Sequence, residues 1–486
     1  MNFPEFFGGS NTAYAQKAAI ERTVNLTLEK IESGAGESDY SYYRSPGLFR
    51  PFALQPGPGV SRGAIELNDH LFEVVDSTIT DMTAFDRATG LLTVNRTYNF
   101  LADDGLPVLM AIDQQSCLLI SAGTLYAINS GALTTPALTF TPIGIVKINN
   151  YWVALSSSLS EFYFSDTGLI WDAADVQEAE AAANLNQAAC VLSQQLVIFG
   201  SRVTQTFYVG DNPNKPFVPR IEAVIMYGIK ARLSALVIGG AMYWLAQSAV
   251  GQVSVRRSAG GPNSEAVSSI ALESALEAYE RVGPIDDAIG MAYSRGKKEF
   301  YRLTFPAANS TWELDIQNGI WIETPYWNPI TGLEERHRAN TLVAAFGTIF
   351  AGDRERGKIY EFTRDAFTDD GELIRCERRT PHLVKEHKHV SYDRLYVGCE
   401  MGNGLDVAIG QPGYDPQITM RWSDDGGRNW SNDQSRSMGK FGQFKKEVPS
   451  WDRLGEGIDR VWDFVIMEPT KIALTSAGFD AEVLLR

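Results

Sequence analysis

Residues 423–430, SDDGGRNW, fit the spacing S-x-D-x-G-x-x-W, with Ser423, Asp425, Gly427 and Trp430 at its fixed places. Ser and Asp side chains at this spacing accept hydrogen bonds from nearby backbone N–H groups, paired glycines permit positive φ, and the indole packs under the turn. This is an Asp-box, and its first meaning is structural: it fixes a β-hairpin. A looser copy, SDTGLIW, occupies residues 165–171.

Other residues could do chemistry. GDRERGKI, residues 352–359, matches G-x-x-x-x-G-K, but Ile359 stands where a phosphate-binding loop needs Ser or Thr for Mg²⁺, and a strand follows instead of a helix. A charged hairpin turn is expected there. Asp-Asp-Gly begins at Asp103, Asp369 and Asp424. Paired carboxylates can serve acid–base catalysis or hold calcium, but Asp-Gly is also a strong turn signal, and turns are the expectation. His382, His387 and His389 lie within eight residues with Lys385 and Lys388 between them. Metal binding needs a further ligand that the spacing does not supply, so a solvated basic strand is expected. No G-x-S-x-G, H-E-x-x-H or strand-to-helix G-x-G-x-x-G occurs. The expectation is therefore no catalytic residue, no cofactor and no metal.

The elements that position these residues read as strands. The 486-residue chain is long enough for more than one domain, and its glycines and aromatics recur in short runs. Segments such as LLISAGTLYAIN (118–129), LVIFGSRVTQTFYVGD (196–211) and TWELDIQNGIWIE (311–323) are strand, turn, strand. They recur irregularly, near the roughly 40–50-residue period of propeller blades. Residues 14–21, 172–184 and 265–280 look helical, the last two being rich in Ala and Glu. A break near residues 378–381 begins a second strand set. The expected fold is all-β: an extended N-terminal arm over residues 1–40, a β-propeller over 41–379 and a C-terminal β-sandwich-like domain over 380–486. The arm has too little apolar content to fold alone, so a neighbouring subunit or adaptor is expected to order it.

Charge and cysteines bound the function. A formal net charge of −16 disfavours gripping nucleic acid, because phosphate binding rests on Lys and Arg. Cys117, Cys190, Cys376 and Cys399 show no C-x-x-C spacing and read as buried thiols of a protein made in a reducing cytosol. The N-terminus lacks the pattern of a signal peptide, and the longest apolar stretch, residues 233–246, is too short to span a membrane and contains Gly239-Gly240.

The order of motifs resembles one family. ERTVNLTLE (21–29) followed by Pro46-Gly47-Leu48 is similar to its E-x-x-V-N-L-Y-P-E and P-G-L, with Thr27 and Leu28 departing from Tyr-Pro. FYFSDTGLIWDAADVQEAEA (162–181), YGIKAR, MYWLAQ and GQVSVRR (227–257), FAGDRERGKIYEF (350–362), RRTPHL (378–383) and WSDDGGRNWSN (422–432) follow in family order. The chain resembles the packaged-DNA stabilisation protein, or tail hub (nozzle), of short-tailed bacteriophages. That resemblance implies a virion protein of the phage tail, made in the host cytoplasm and assembled as a homo-oligomer, a hexameric ring. Implied partners are the head-to-tail adaptor, a tailspike or tail fibre, and a tail needle or plug. Double-stranded DNA would pass through without sequence-specific binding. The family has no catalytic residues to carry over.

Two other readings stay open at this point. A sialidase-like glycosidase could use an Asp-box propeller, but it needs an arginine triad, and residues such as Arg220 and Arg338 are gathered by no motif. A carbohydrate- or receptor-binding tail module would use exposed aromatics for stacking. For the tail hub, the acidic balance predicts an acidic channel wall, with basic residues gathered at partner contacts, for example residues 375–379 and 385–389.

Overall fold

The computed structural model describes residues 3–484 apart from 4, 13, 14, 16, 18, 33–37, 159, 166–168 and 182–184. About 53 % of the chain is strand and 4 % helix, which makes it all-β.

Seven antiparallel sheets follow one another as the blades of a propeller. The first holds Ser61–Leu67, His70–Val75, Thr78–Asp86 and Leu91–Tyr98. Four more occupy residues 109–134, 142–178, 186–219 and 227–266, the sixth begins with residues 289–323, and the seventh is built on Ala339–Ala345, Thr348–Asp353 and Lys358–Thr363. Tight two-residue turns join the first and second strands of several blades. Asn68 and Asp69, Gly239 and Gly240, and Phe346 and Gly347 all have positive φ, the twist that suits a hairpin.

The core explains the continuous apolar runs. Alternate residues of a strand face opposite neighbours. Trp152 and Ala154 pack on the second blade, whereas Val153 and Leu155 pack on the fourth. The same rule produces one apolar cluster between each pair of successive blades. A further cluster joins Leu71, Met82 and Leu92 of the first blade to Ala345, Phe350 and Ile359 of the seventh, so the ring of blades is closed. The seventh blade takes its outer strand, Gly47–Ala53, from the N-terminal side: Phe52 pairs with Ile359 and Leu48 with Phe362.

The second unit is a β-sandwich. One sheet runs Leu26–Lys30, Tyr40–Arg44, Ala473–Val483, Val390–Cys399 and Ser450–Asp452. The other runs Ile20–Val24, Cys376–Arg379, Asp459–Ile466, Gln417–Ser423 and Gln434–Ser437. Trp451, Trp462, Phe464, Leu395 and Tyr42 fill the space between them. The chain crosses from one sheet to the other at buried Asn25, whose φ is 51° and whose amide donates to the Pro325 and Arg375 carbonyls. The second sheet continues into the sixth blade through a parallel bridge between Val24 and Glu323.

The N-terminal segment therefore gains order from its own chain. Its strands enter both sheets, and Phe3 and Phe6 pack edge-on against Phe479 and Phe464 at 5.4 and 5.8 Å between ring centres. The helical readings need correction. Ile20–Val24 is strand, while Tyr14, Gln16 and Ala18 lie outside the described residues. Val176–Glu178 is the outer strand of the third blade, because pairing with Glu161–Ser165 overrides the Ala/Glu propensity, and residues 182–184 lie outside the described residues. The third reading lands on a helix, Ile270–Val282, capped by Ser269 and packed through Leu272 and Leu276 between the fifth and sixth blades. Among the described residues no helix is long and apolar enough to cross a membrane.

Candidate functional site

The Asp-box turn joins Gln417–Ser423 to Gln434–Ser437 at one end of the sandwich. Ser423 Oγ donates to Asp425 Oδ1 at 2.8 Å and accepts from the Gly427 N–H at 2.8 Å. Asp425 Oδ1 accepts from the Arg428 and Asn429 N–H groups at 3.0 and 2.9 Å, and Oδ2 takes the Asn429 side-chain amide at 2.6 Å. The Asn429 N–H, its side-chain amide and the Ser423 hydroxyl all favour the charged carboxylate and pull Asp425 down to about 2. Gly427 has φ +85°, and a Cβ there would strike Ile20 of the N-terminal strand, so the turn sits directly on that strand. The Trp430 ring lies under two guanidinium groups, Arg421 at 4.8 Å and Arg379 at 5.0 Å. Ser165 and Trp171 of the looser copy flank residues 166–168, which lie outside the described residues.

Those two arginines lead to a larger arrangement. In register across four strands, Arg22 lies opposite Arg379, Arg379 opposite Asp463, and Asp463 opposite Arg421. Arg421 holds Asp463 at 2.7 Å, and Arg379 holds Glu377 at 2.9 Å. Arg22 reaches Glu323 of the sixth blade at 2.6 Å, Glu334 at 2.5 Å and Glu377 at 3.3 Å. Arg375 binds Glu334 at 2.8 Å and also Glu377. Four arginines thus meet four carboxylates where propeller and sandwich join. Burial alone would push Glu377 up, but Arg22, Arg375 and Arg379 outweigh it and hold the carboxyl down to about 2. Asp463 is pushed up, first by burial and then by the nearby Glu377. A charge lattice of this kind suits rigid docking of two units: losing one member strands the others in a poorly solvated place.

The remaining candidates are separate from one another. In the 352–359 hairpin the Asp353 carboxylate accepts the N–H groups of Glu355 and Arg356 at 2.7 and 2.9 Å and pairs with buried Arg338 at 2.8 Å. The loop's donors are turned to its own carboxylate. Each Asp-Asp-Gly receives an arginine. Asp103 and Asp104 hold buried Arg62, Asp370 holds Arg356 with Lys358, and Asp424 holds buried Arg460 through both oxygens at 2.6 and 2.8 Å. Asp369 accepts the Leu48 N–H, and burial pushes its carboxyl up to about 7. His382 meets Asp459 at 2.5 Å, whereas His389 reaches Glu456 at 3.8 Å. Among the described residues no group of three or more His, Cys, Asp and Glu side chains is placed to hold a metal ion. Arg220 is held by Glu222 and Gln195, and Arg338 by Asp353 and Glu355, so these two do not converge on a common centre.

Sequence reasoning expected residues 375–379 to face partners. Arg375 and Arg379 instead neutralise Glu334, Glu377 and Asp463 of the same chain, and buried Arg378 donates to the Glu5, Phe6 and Gly9 carbonyls of the N-terminal segment. It also missed Glu73, buried where the first and seventh blades close. Glu73 accepts from Ser61 Oγ and, at 3.0 Å, from Thr341 Oγ1, and burial pushes its carboxyl up to about 8. The charged residue inside the apolar run LFEVV was the available signal. All four cysteines are buried free thiols, and burial pushes Cys117, Cys190 and Cys399 up to about 12.

Compared with known proteins, residues 22–367 match the family described as bacteriophage P22 Gp10, beta-propeller. Residues 375–482 match bacteriophage P22 Gp10, beta-sandwich. No curated protein matches the sequence. Among solved structures, the N-terminal domain of Nup159 aligns at 10 % identity and TM-score 0.41, over 70 % of this chain and 99 % of that one. The extracellular domain of the hybrid two-component system BT4673 from B. thetaiotaomicron aligns at 7 % identity and TM-score 0.42, over 66 % and 40 %. A chain of a nidogen/laminin complex aligns at 12 % identity and TM-score 0.34, over 60 % and 98 %.

Proposed function

Because the chain belongs to the bacteriophage P22 Gp10 family, we propose that this structural protein of the phage tail is the tail hub, or nozzle. Six copies form a ring that extends the channel below the head-to-tail adaptor. The ring meets a tailspike or fibre outside and a needle or plug at its exit. It helps retain packaged DNA and conducts it during ejection. The reading rests on one observation above the others: the family match runs through both domains, and those domains are joined by the Arg22–Glu323–Glu377 lattice. A conduit under load needs units that do not swing, and a closed propeller locked to a sandwich supplies that. The role is structural, not catalytic. Arg220 is held by Glu222 and Gln195, Arg338 by Asp353 and Glu355, and the lattice arginines are each engaged by carboxylates of the same chain, which supports a structural role.

The channel wall is acidic in this reading. Carboxylates repel the duplex and keep it from sticking, whereas a basic wall would hold it by counterion release. The test is DNA retention by filled heads with and without the protein. Heads carrying their adaptor but lacking this protein should leak DNA, and adding the purified protein should restore retention. Equal retention in its absence would overturn the reading.

A further inference from the structure

Two exposed patches on different domains have opposite character. The first is the sandwich loop KFGQFKK, residues 440–446. Phe441 and Phe444 are 65 % and 68 % exposed, with Lys440, Lys445 and Lys446 around them. The loop is shaped, not loose. The Gly442 N–H donates to the Gly402 carbonyl at 3.2 Å, Lys446 Nζ to Ser437 Oγ at 2.6 Å, and Lys440 Nζ to Tyr414 Oη at 3.3 Å. A hydrogen-bonded loop with two exposed aromatic rings and a basic rim has the anatomy of half an interface.

The second patch is a cleft of about 410 Å³ on the outer rim of the propeller, between the third and fourth blades. Its apolar part is Ala181, Pro219, Ile221 and Val224, and its acidic part is Glu178 and Glu180. Ile221 is 83 % exposed. The outer strands of the two blades are clamped together there by Gln177, which donates to the Phe217 carbonyl at 2.8 Å and accepts its N–H at 3.0 Å. Arg220 also lines the cleft, but Glu222 neutralises it at 3.0 Å. Among the described residues no ion pair engages Glu178 or Glu180. The surrounding sequence deepens the charge: residues 148–201 contain six Asp and Glu and no Lys, Arg or His.

We infer that the 440–446 loop of one copy docks in the Glu178–Glu180 cleft of the next copy. This rests on the ring reading and gives it a specific contact. Phe444 enters against Ile221 and Val224, while Lys445 and Lys446 meet Glu178 and Glu180. Both halves are on one chain but on different surfaces, so the contact can repeat head to tail from copy to copy, as the ring reading requires. On a chain of net charge −16, a basic tip also finds few unfavourable partners on a second copy.

The test reads assembly of the purified full chain by sedimentation velocity. Lys445→Glu with Lys446→Glu should raise the protein concentration at half-assembly by at least about tenfold, and Glu178→Lys with Glu180→Lys should do the same. All four changes together should return it to within about threefold of the wild type. A Phe444→Cys, Ile221→Cys chain should give a ladder of linked subunits on oxidation, since the native thiols are buried. Thermal melts check that each variant is folded. Wild-type-like assembly by both charge-reversed chains, with no ladder, would overturn the contact and leave the ring reading standing. Loss of binding to another virion component, or to anionic lipid vesicles, with rings intact would also overturn it. A wild type that stays monomeric at every concentration would remove both readings.

Discussion

Glu377 sits fully buried among Arg22, Arg375 and Arg379, and that position decides how the two domains are held. Replacing it with Ala leaves three guanidinium groups short of a partner, and a loss of about 3 kcal/mol is expected from denaturant unfolding. Its low value sets a pH window as well. The folded carboxyl lies near 2, below the ordinary range, so its contribution is complete above the unfolded value of about 4.3 and is lost as pH falls through about 2. Glu73 has the opposite sign. Its folded value is near 8, so the proton it holds favours the folded state most at low pH, and that advantage fades as pH rises through about 8. Glu73→Gln should therefore narrow the difference in Tm between pH 5 and pH 9; an unchanged difference would contradict a buried neutral carboxyl. Asp425→Ala should lower Tm and speed hydrogen exchange at the Arg428 and Asn429 amides, which lose their acceptor.

Among the elements, the closing strand Gly47–Ala53 carries the most weight for its length. It completes the seventh blade, and the strands before it complete both sheets of the sandwich. A chain lacking residues 1–53 should lose cooperative unfolding, whereas one lacking only 1–10 should keep it, as followed by circular dichroism melts. Gly352→Ala probes the same closure, because an added Cβ would strike Ser61, Glu73 and Thr341. A loss of about 1–3 kcal/mol is expected. Much of this architecture was legible locally. The hairpins at residues 118–129, 196–211 and 311–323 announced themselves by short apolar runs around Gly-containing turns, and the Asp-box by bonds that span only a few residues. What was not legible is long-range. Leu48 pairs with Phe362, and Arg22 meets Glu323, and nothing in either local sequence names the other. Residues 176–178 misled for the same reason: the Ala/Glu-rich sequence around them favours helix, but cross-strand pairing with the third blade won. The arginines at 375–379 looked like a surface patch because Glu334 and Asp463 lie on other strands, and the carbonyls that receive Arg378 lie in the distant N-terminal segment.

At the scale of the whole molecule, this is a closed seven-bladed propeller stitched to a sandwich by the N-terminal segment, in a family of phage tail proteins. The proposed ring sets such units head to tail. Six copies would total −96 from six chains of −16, and part of that charge should line the channel. Purified rings should accordingly bind double-stranded DNA weakly, with little dependence on salt; tight binding that falls steeply with salt would mark a clamp instead of a conduit. The most direct test of the central claim is a cryo-electron microscopy map of the intact tail. The account predicts six copies of this chain around an axial, acid-lined channel below the adaptor, each with its 440–446 loop against its neighbour's 178–180 edge. A map that places the chain as isolated monomers on the tail exterior, away from the DNA path, would contradict it.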